Sequence, residues 1–303
     1  MARAIVECVP NVSEGRDGSV VDRIASAARS VRVVTLADIH ADPDHNRSVF
    51  TILGTPPDVE AAALALAEAA LAAIDMQRHR GVHPRIGALD VLPFIPLRGM
   101  TIGEAVALAH RVGETLGARW ALPVYFYGEA ALSQDRRRLS EIRRGEYERL
   151  EQRFPAFLPD RGPAQFNPRS GAIAVGVRGL LIAYNVWLDS DDLGVARAVA
   201  RRIRESSGGL AGLQAMGVRL PSRGCVQVSM NLLDFRRTPL PLVFDRVRSE
   251  AAGLGIGVKR GELVGLAPLE AFAGRSPESV GLPDFTRAQL LESHLPEERA
   301  EVS

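Results

Sequence analysis

Four of the six histidines fall in two short stretches, His40 and His45 in DIHADPDHNR and His79 and His83 in DMQRHRGVHPR. An imidazole with an ordinary pKa of about 6.5 can take and return a proton near neutral pH. Arg78, Arg80 and Arg85 surround the second pair, and Arg47 follows the first. Arginine grips carboxylates through paired hydrogen bonds, so these four are candidates for holding an anionic substrate. The arginines imply an anionic substrate, while a loop histidine taken by itself is more often a surface or hydrogen-bonding residue than a catalytic one.

A metal site is the rival reading. His79 and His83 are four apart, and Asp42, Asp44 and His45 offer further donors. Gly81 and Pro84, however, break the helix that would align the pair, and no HExxH glutamate is present. No metal is expected. A Walker loop, a GxSxG elbow and a dinucleotide fingerprint between strand and helix are missing as well.

The elements that must position these residues follow from pattern. Residues 3–9 alternate like a strand, and 17–30 follow a helical period. Residues 32–38 and 47–54 read as strands joined by the polar connector IHADPDHN. Pro56 and Pro57 open an Ala/Leu-rich helix ending near Asp75, and 89–96 (LDVLPFIP) is a buried strand. The same order returns as strand 179–188, helix 191–206, strands 213–219 and 225–233, helix 239–254 and strand 256–266.

Two βαββαβ units imply an α+β protein of two ferredoxin-like subdomains related by duplication, with a ligand cleft between them. Between the units, 101–117 reads as a helix, 123–128 as an extra strand and 135–153 as one charged, solvated helix. The Pro/Gly-rich stretch 155–171 suits either a linker or a ligand-binding loop. The expected divisions are 1–171, 172–275 and a polar, mobile tail at 276–303, its weak helical pattern at 286–294.

Lys and Arg total 37 against 36 Asp and Glu, a net charge of +1, which gives no global field for nucleic acid or an anionic membrane. The longest apolar run, 61–74, contains Glu68 and is too short to span a bilayer, and no signal peptide is read at the start. Cys8 and Cys225 each sit in apolar, strand-like runs, as small buried hydrophobes rather than disulfide partners. A cytoplasmic location is expected.

The blocks VECVPNVSEGRD, DIHADPDHNRSVFT, IDMQRHRGVHPRIGALDVLPFIPLRG, PVYFYGEAA, GPAQFNPRSGA and QVSMNLLDF run in order from about residue 5 to residue 270. Together they resemble the formiminotransferase family. The resemblance implies transfer of a formimino group from N-formimino-L-glutamate to nitrogen 5 of tetrahydrofolate in histidine breakdown, with tetrahydrofolate as co-substrate and a homodimer allowed. It puts the catalytic histidine at His83, in the HPRxGALDV block. It puts folate against Gly162, Pro163, Ala164, Gln165, Phe166, Asn167, Pro168, Arg169, Ser170 and Gly171, with a second contact at Gly208, Gly209 and Leu210. The chain differs from the bifunctional animal members at Ser170, where a tryptophan is expected, and at His40, where an aspartate is expected. It stops soon after the second unit, so no cyclodeaminase domain is expected. The alternatives are a related folate enzyme using N-formylglutamate or 5-formyltetrahydrofolate, and a folate-binding protein without turnover.

Overall fold

The computed structural model describes residues 3–295, and the protein is a mixed α and β chain with two sheets. It divides at Leu180/Leu181 into two units.

In the first unit, a run broken by Pro10 gives β1 (Val6–Cys8) and β2 (Asn11–Val12), followed by α1 (Gly18–Arg29). Asp17 caps α1, accepting from the Ser19 and Val20 amides. Then come β3 (Thr35–Asp42), β4 (Arg47–Gly54), α2 (Pro56–Ala73), β5 (Leu89–Pro96) and α3 (Ile102–Trp120), the last opened by a Thr101/Glu104 capping box. After β6 (Val124–Gly128) lie two single-turn helices, α4 (Leu139–Ile142) and α5 (Leu150–Arg153), and then β7 (Ile173–Val177).

Across the sheet, β1 and β2 lie between β4 and β5, β3 pairs the outer side of β4, and β7 and β6 continue beyond β5 as parallel neighbours. The core is built on α1, α2 and α3, whose small residues allow close approach to the strands. Val59, Ala62, Ala63, Leu66, Ala67 and Ala70 of α2 are wholly buried. A side chain at Gly113 of α3 would strike the Phe126 ring, 2.5 Å away.

The second unit contains β8 (Ile182–Leu188), α6 (Leu193–Ile203), β9 (Leu213–Leu220), β10 (Cys225–Leu232), α7 (Leu240–Ala252) and β11 (Val258–Val264). Its antiparallel sheet has the order β11, β8, β10, β9. Cys8 and Cys225 are both buried free thiols.

Four local readings change. The connector read over residues 39–46 is mostly strand, because β3 continues through His40 and Asp42 in register with Val49 and Arg47, leaving only a turn at 43–46. The charged helix read at 135–153 is broken between α4 and α5, where Gly145 (φ 78) and Glu146 (φ 57) take left-handed backbone. Arg153 instead donates to the carbonyls of Glu141, Ile142 and Arg144. Residues 173–177 form a buried strand of the first sheet, which carries that unit past the Gly171/Ala172 division read from the sequence. The tail is folded as far as 295, in short 3-10 turns that bury Val280, Leu282 and Leu291; residues 296–303 lie outside the described residues.

Candidate active site

The first residues of β4 and β5 flank β2, and this edge carries the candidate residues. The β3–β4 turn ends on Asn46, whose left-handed backbone (φ 48) suits an asparagine. Its side chain accepts from the Gly15 amide at 3.1 Å and donates to the Arg80 carbonyl at 2.9 Å. Gly81 lies so close to this turn that a Cβ there would stand 2.3 Å from the His45 carbonyl oxygen. The turn and the histidine-bearing link are thereby locked together.

His79 is buried with both ring nitrogens engaged. Its Nδ1 accepts from Arg85 Nε at 3.1 Å, so Nε2 carries the proton and donates to the Asn46 carbonyl at 2.8 Å. Burial holds its pKa below the ordinary value.

His83 is half-buried and differently placed. Arg47 donates to its Nε2 at 2.7 Å, while Nδ1 is shielded from water and has no partner among the described residues. Loss of hydration holds its pKa well below the ordinary value, helped by the nearby charges of Arg47 and Arg143 and by His45. The His45 ring centroid is 5.7 Å away. Ser13, His45, Asn46, Arg47, Arg85 and Asp90 enclose the two histidines.

The four candidate arginines separate by role. Arg47 alone among them contacts His83, and it also donates to Asn11 Oδ1 at 3.2 Å. Arg85 is buried against its own protein's carboxylates, 2.6 and 2.8 Å from the Glu148 oxygens and 3.2 Å from Glu146. This pairing holds the Glu148 carboxyl below its usual range, and it leaves Arg85 engaged rather than open to a substrate carboxylate. Arg80 donates to the Gln77 and His79 carbonyls, and Arg78 is exposed beside Asp75 at 3.8 Å. Arg80, Arg85 and Arg149 line an open groove of about 470 Å³ together with Glu146 and Glu148.

Sequence reading missed Arg143 and Asp90. Asp90 is buried, accepts from the Ile86 amide at 2.7 Å, and pairs with Arg143, whose charge thereby stands near His83. Arg143 was hidden in the charged run, where Gly145 was the one sign of a break.

The stretch 162–171 is tied to the segment following His83. The Ala88 amide donates to the Ser170 carbonyl at 2.9 Å and the Ala172 amide to the Ile86 carbonyl at 3.0 Å. Asn167 organises the turn, accepting from the Gly171 and Ser170 amides, and the Met76 amide donates to the Arg169 carbonyl at 2.8 Å. Gly162 (φ 77) and Gly171 (φ 69) leave no room for a side chain, since a Cβ would stand 2.1 Å from the Leu122 and Ile86 carbonyl oxygens respectively. In the second unit, Gly208 (φ 84) turns the chain after α6, and the Gly209 and Leu210 amides donate to the Arg204 and Ile203 carbonyls.

A neutral imidazole beside cationic side chains, on a loop anchored to a sheet edge, is an arrangement able to exchange a proton next to an anionic molecule. The formiminotransferase-domain N-terminal subdomain matches residues 5–178, and the formiminotransferase domain matches residues 183–276. The chain belongs to the formiminotransferase family. Over 294 residues it is 38% identical to the glutamate formimidoyltransferase of Streptococcus pyogenes serotype M1, covering 96% of this chain and 98% of that one. The glutamate formimidoyltransferase of Thermoplasma acidophilum is 40% identical over 293 residues, 95% of this chain and 96% of the other. The pig (Sus scrofa) formimidoyltransferase-cyclodeaminase is 43% identical over 276 residues, which are 88% of this chain and 51% of that protein.

Proposed function

We propose that this protein is a glutamate formimidoyltransferase, moving the formimino group of N-formimino-L-glutamate to nitrogen 5 of tetrahydrofolate and releasing 5-formiminotetrahydrofolate and L-glutamate. The observation that carries this reading is the near full-length likeness to two enzymes of that name, joined to an imidazole kept neutral in a cation-lined pocket. Attack by nitrogen 5 on the formimino carbon gives a tetrahedral adduct that must lose a proton from the folate nitrogen and gain one on the glutamate nitrogen. His83 makes that exchange, and holding the two substrates in attacking geometry supplies the rest of the rate.

Folate lies against Gly162 to Gly171 in this proposal, with Gly208, Gly209 and Leu210 as a second contact. Support for the first comes from the hydrogen bonds joining that loop to residues 86–88. Each unit is built on the ferredoxin-like plan, the two being related by duplication. The order strand four, one, three, two across the second sheet supports this, as does the corresponding run β5, β1/β2, β4, β3 in the first. Turnover needs no metal: both His79 ring nitrogens are already engaged, so His79 and His83 do not form a ligand pair. The protein works in the cytoplasm on small molecules, without nucleic acid or membrane, and a homodimer is compatible with this role. Among the described residues, no helix is long and apolar enough to cross a membrane.

The test is the purified protein with formiminoglutamate and tetrahydrofolate, followed by mass spectrometry of the folate product. Formation of 5-formiminotetrahydrofolate and glutamate is expected. Transfer only from N-formylglutamate, or tight folate binding without any transfer, would replace this reading with one of its two rivals.

A further inference from the structure

The hydrogen bond between Arg47 and His83 constrains more than position. A guanidinium has five N–H donors, no acceptor, and a pKa above about 12. When Arg47 approaches His83 Nε2 at 2.7 Å, that nitrogen must therefore contribute a lone pair. A neutral imidazole has one such nitrogen and one N–H, so the proton resides on Nδ1. This is the nitrogen left without a partner and closed off from water. The neighbouring His79 has the opposite tautomer, Nε2–H, imposed by Arg85 donating to its Nδ1.

We infer that Arg47 is a positioning residue that caps the basic nitrogen of His83, fixing the resting ring as the Nδ1–H tautomer, and that it must let go of Nε2 before His83 can take a proton. The inference rests on the proposed transferase reading for its last step alone. The group suited to drawing a guanidinium away is a carboxylate, through two parallel hydrogen bonds in place of one to imidazole. The substrate and product of the proposed reaction carry carboxylates. Arg47 thus couples arrival of the anion to exposure of the base: the Nε2 lone pair is freed, takes the proton leaving nitrogen 5, and the imidazolium then returns one proton to the glutamate nitrogen. No net proton is gained or lost by the enzyme.

The charged and titratable groups that face His83 come from several elements. They are Arg47 at the start of β4, His45 in the β3–β4 turn, and Arg143 just after α4 with its partner Asp90 on β5. Arg47 donates directly to the ring, so its removal should dominate any change at His83.

The experiment is two-dimensional NMR of the full-length protein labelled with 15N-histidine, with His83→Asn used to assign the signals. In the free wild-type protein, His83 is expected as Nδ1–H with an unprotonated Nε2, still neutral at mildly acidic pH. In Arg47→Gln, the ring should move toward the Nε2–H tautomer and titrate at higher pH, and Arg47→Lys should restore part of the wild-type pattern. Saturation of wild-type protein with L-glutamate should release the cap, seen as a changed Nε2 resonance. An Nε2–H ring in the wild-type protein would overturn the inference without any variant having to fold. So would Arg47→Gln spectra identical to wild type, and a His83 signal indifferent to saturating L-glutamate would overturn the release step. Product formation by wild-type enzyme is scored separately, so the proposed function can stand while this inference falls.

Discussion

The link from α2 to β5 and the link from α7 to β11 occupy the same step in the element order of their units, yet one carries the candidate site residues and the other only turns the chain. The first runs over residues 74–88 and contains both histidines and three arginines. The second covers residues 253–257, Gly-Leu-Gly-Ile-Gly, with no titratable side chain. Within the first link the contrast repeats on a smaller scale: His79 has both nitrogens occupied by its own protein, and His83 has one buried nitrogen left over. A repeated scaffold therefore says where a site can be placed, while link length and unfilled hydrogen-bonding capacity say where one is.

The largest effect is expected at His83. Replacement His83→Asn keeps much of the shape but removes proton exchange, and general acid/base catalysis contributes roughly 100- to 10,000-fold. Turnover should fall by about that factor, with thermal unfolding little changed. A fully active variant would exclude the assignment.

His79→Asn should divide the other way. It leaves the Arg85 Nε–H and the Asn46 carbonyl short of a partner, and each buried unpaired group costs about 1–3 kcal/mol. Denaturant titration should show lost stability, while kcat falls much less than in His83→Asn. Equal kinetic losses at both positions would mean that the two histidines act as one relay.

The smallest effect is expected in the second link. Gly253 has right-handed helical backbone at the end of α7, and a Cβ there would meet only carbonyls at an ordinary 3.6 Å. Gly253→Ala should stabilise the protein by about 0.4–1 kcal/mol through the unfolded chain, with turnover unchanged in a steady-state assay. A kinetic defect would show that this link is not the inert counterpart described above.

How much of this was visible in the sequence depended on whether local chemistry or long-range pairing decided the outcome. Strand β5 matched its expected span because LDVLPFIP is apolar throughout, and α2 began at its proline pair because proline suits a first turn. His40 was read as part of a connector because the Asp, Asn and Pro around it favour turns, but pairing of β3 with β4 overrode that preference. Strand β7, small and short, owes its existence to parallel partners on both sides, which no window of sequence reports. At the site, residue type flagged four histidines and four arginines alike, and the HPRxGALDV block singled out His83. That Arg85 would already be engaged by Glu146 and Glu148, and that Arg143 would stand near His83, required the chain to break at Gly145.

The bridge between Gly87 and Gly171 has a consequence for how the protein is made. The segment just after His83 is held from two directions: by Ser13, whose hydroxyl and amide donate to the Gly87 and Ala88 carbonyls, and by residues 170–172, which leave the ribosome several seconds later at the usual ~5–20 residues per second. Until they emerge, the second set of contacts cannot form, and closing the long intervening stretch costs chain entropy that the β5–β7 pairing helps to offset. A nascent chain halted before β7 would thus already contain every histidine of the site and the contacts from Ser13, Asn46 and Arg47, while the Gly171 side of the clamp would still be missing, so the surround of His83 is completed late in synthesis.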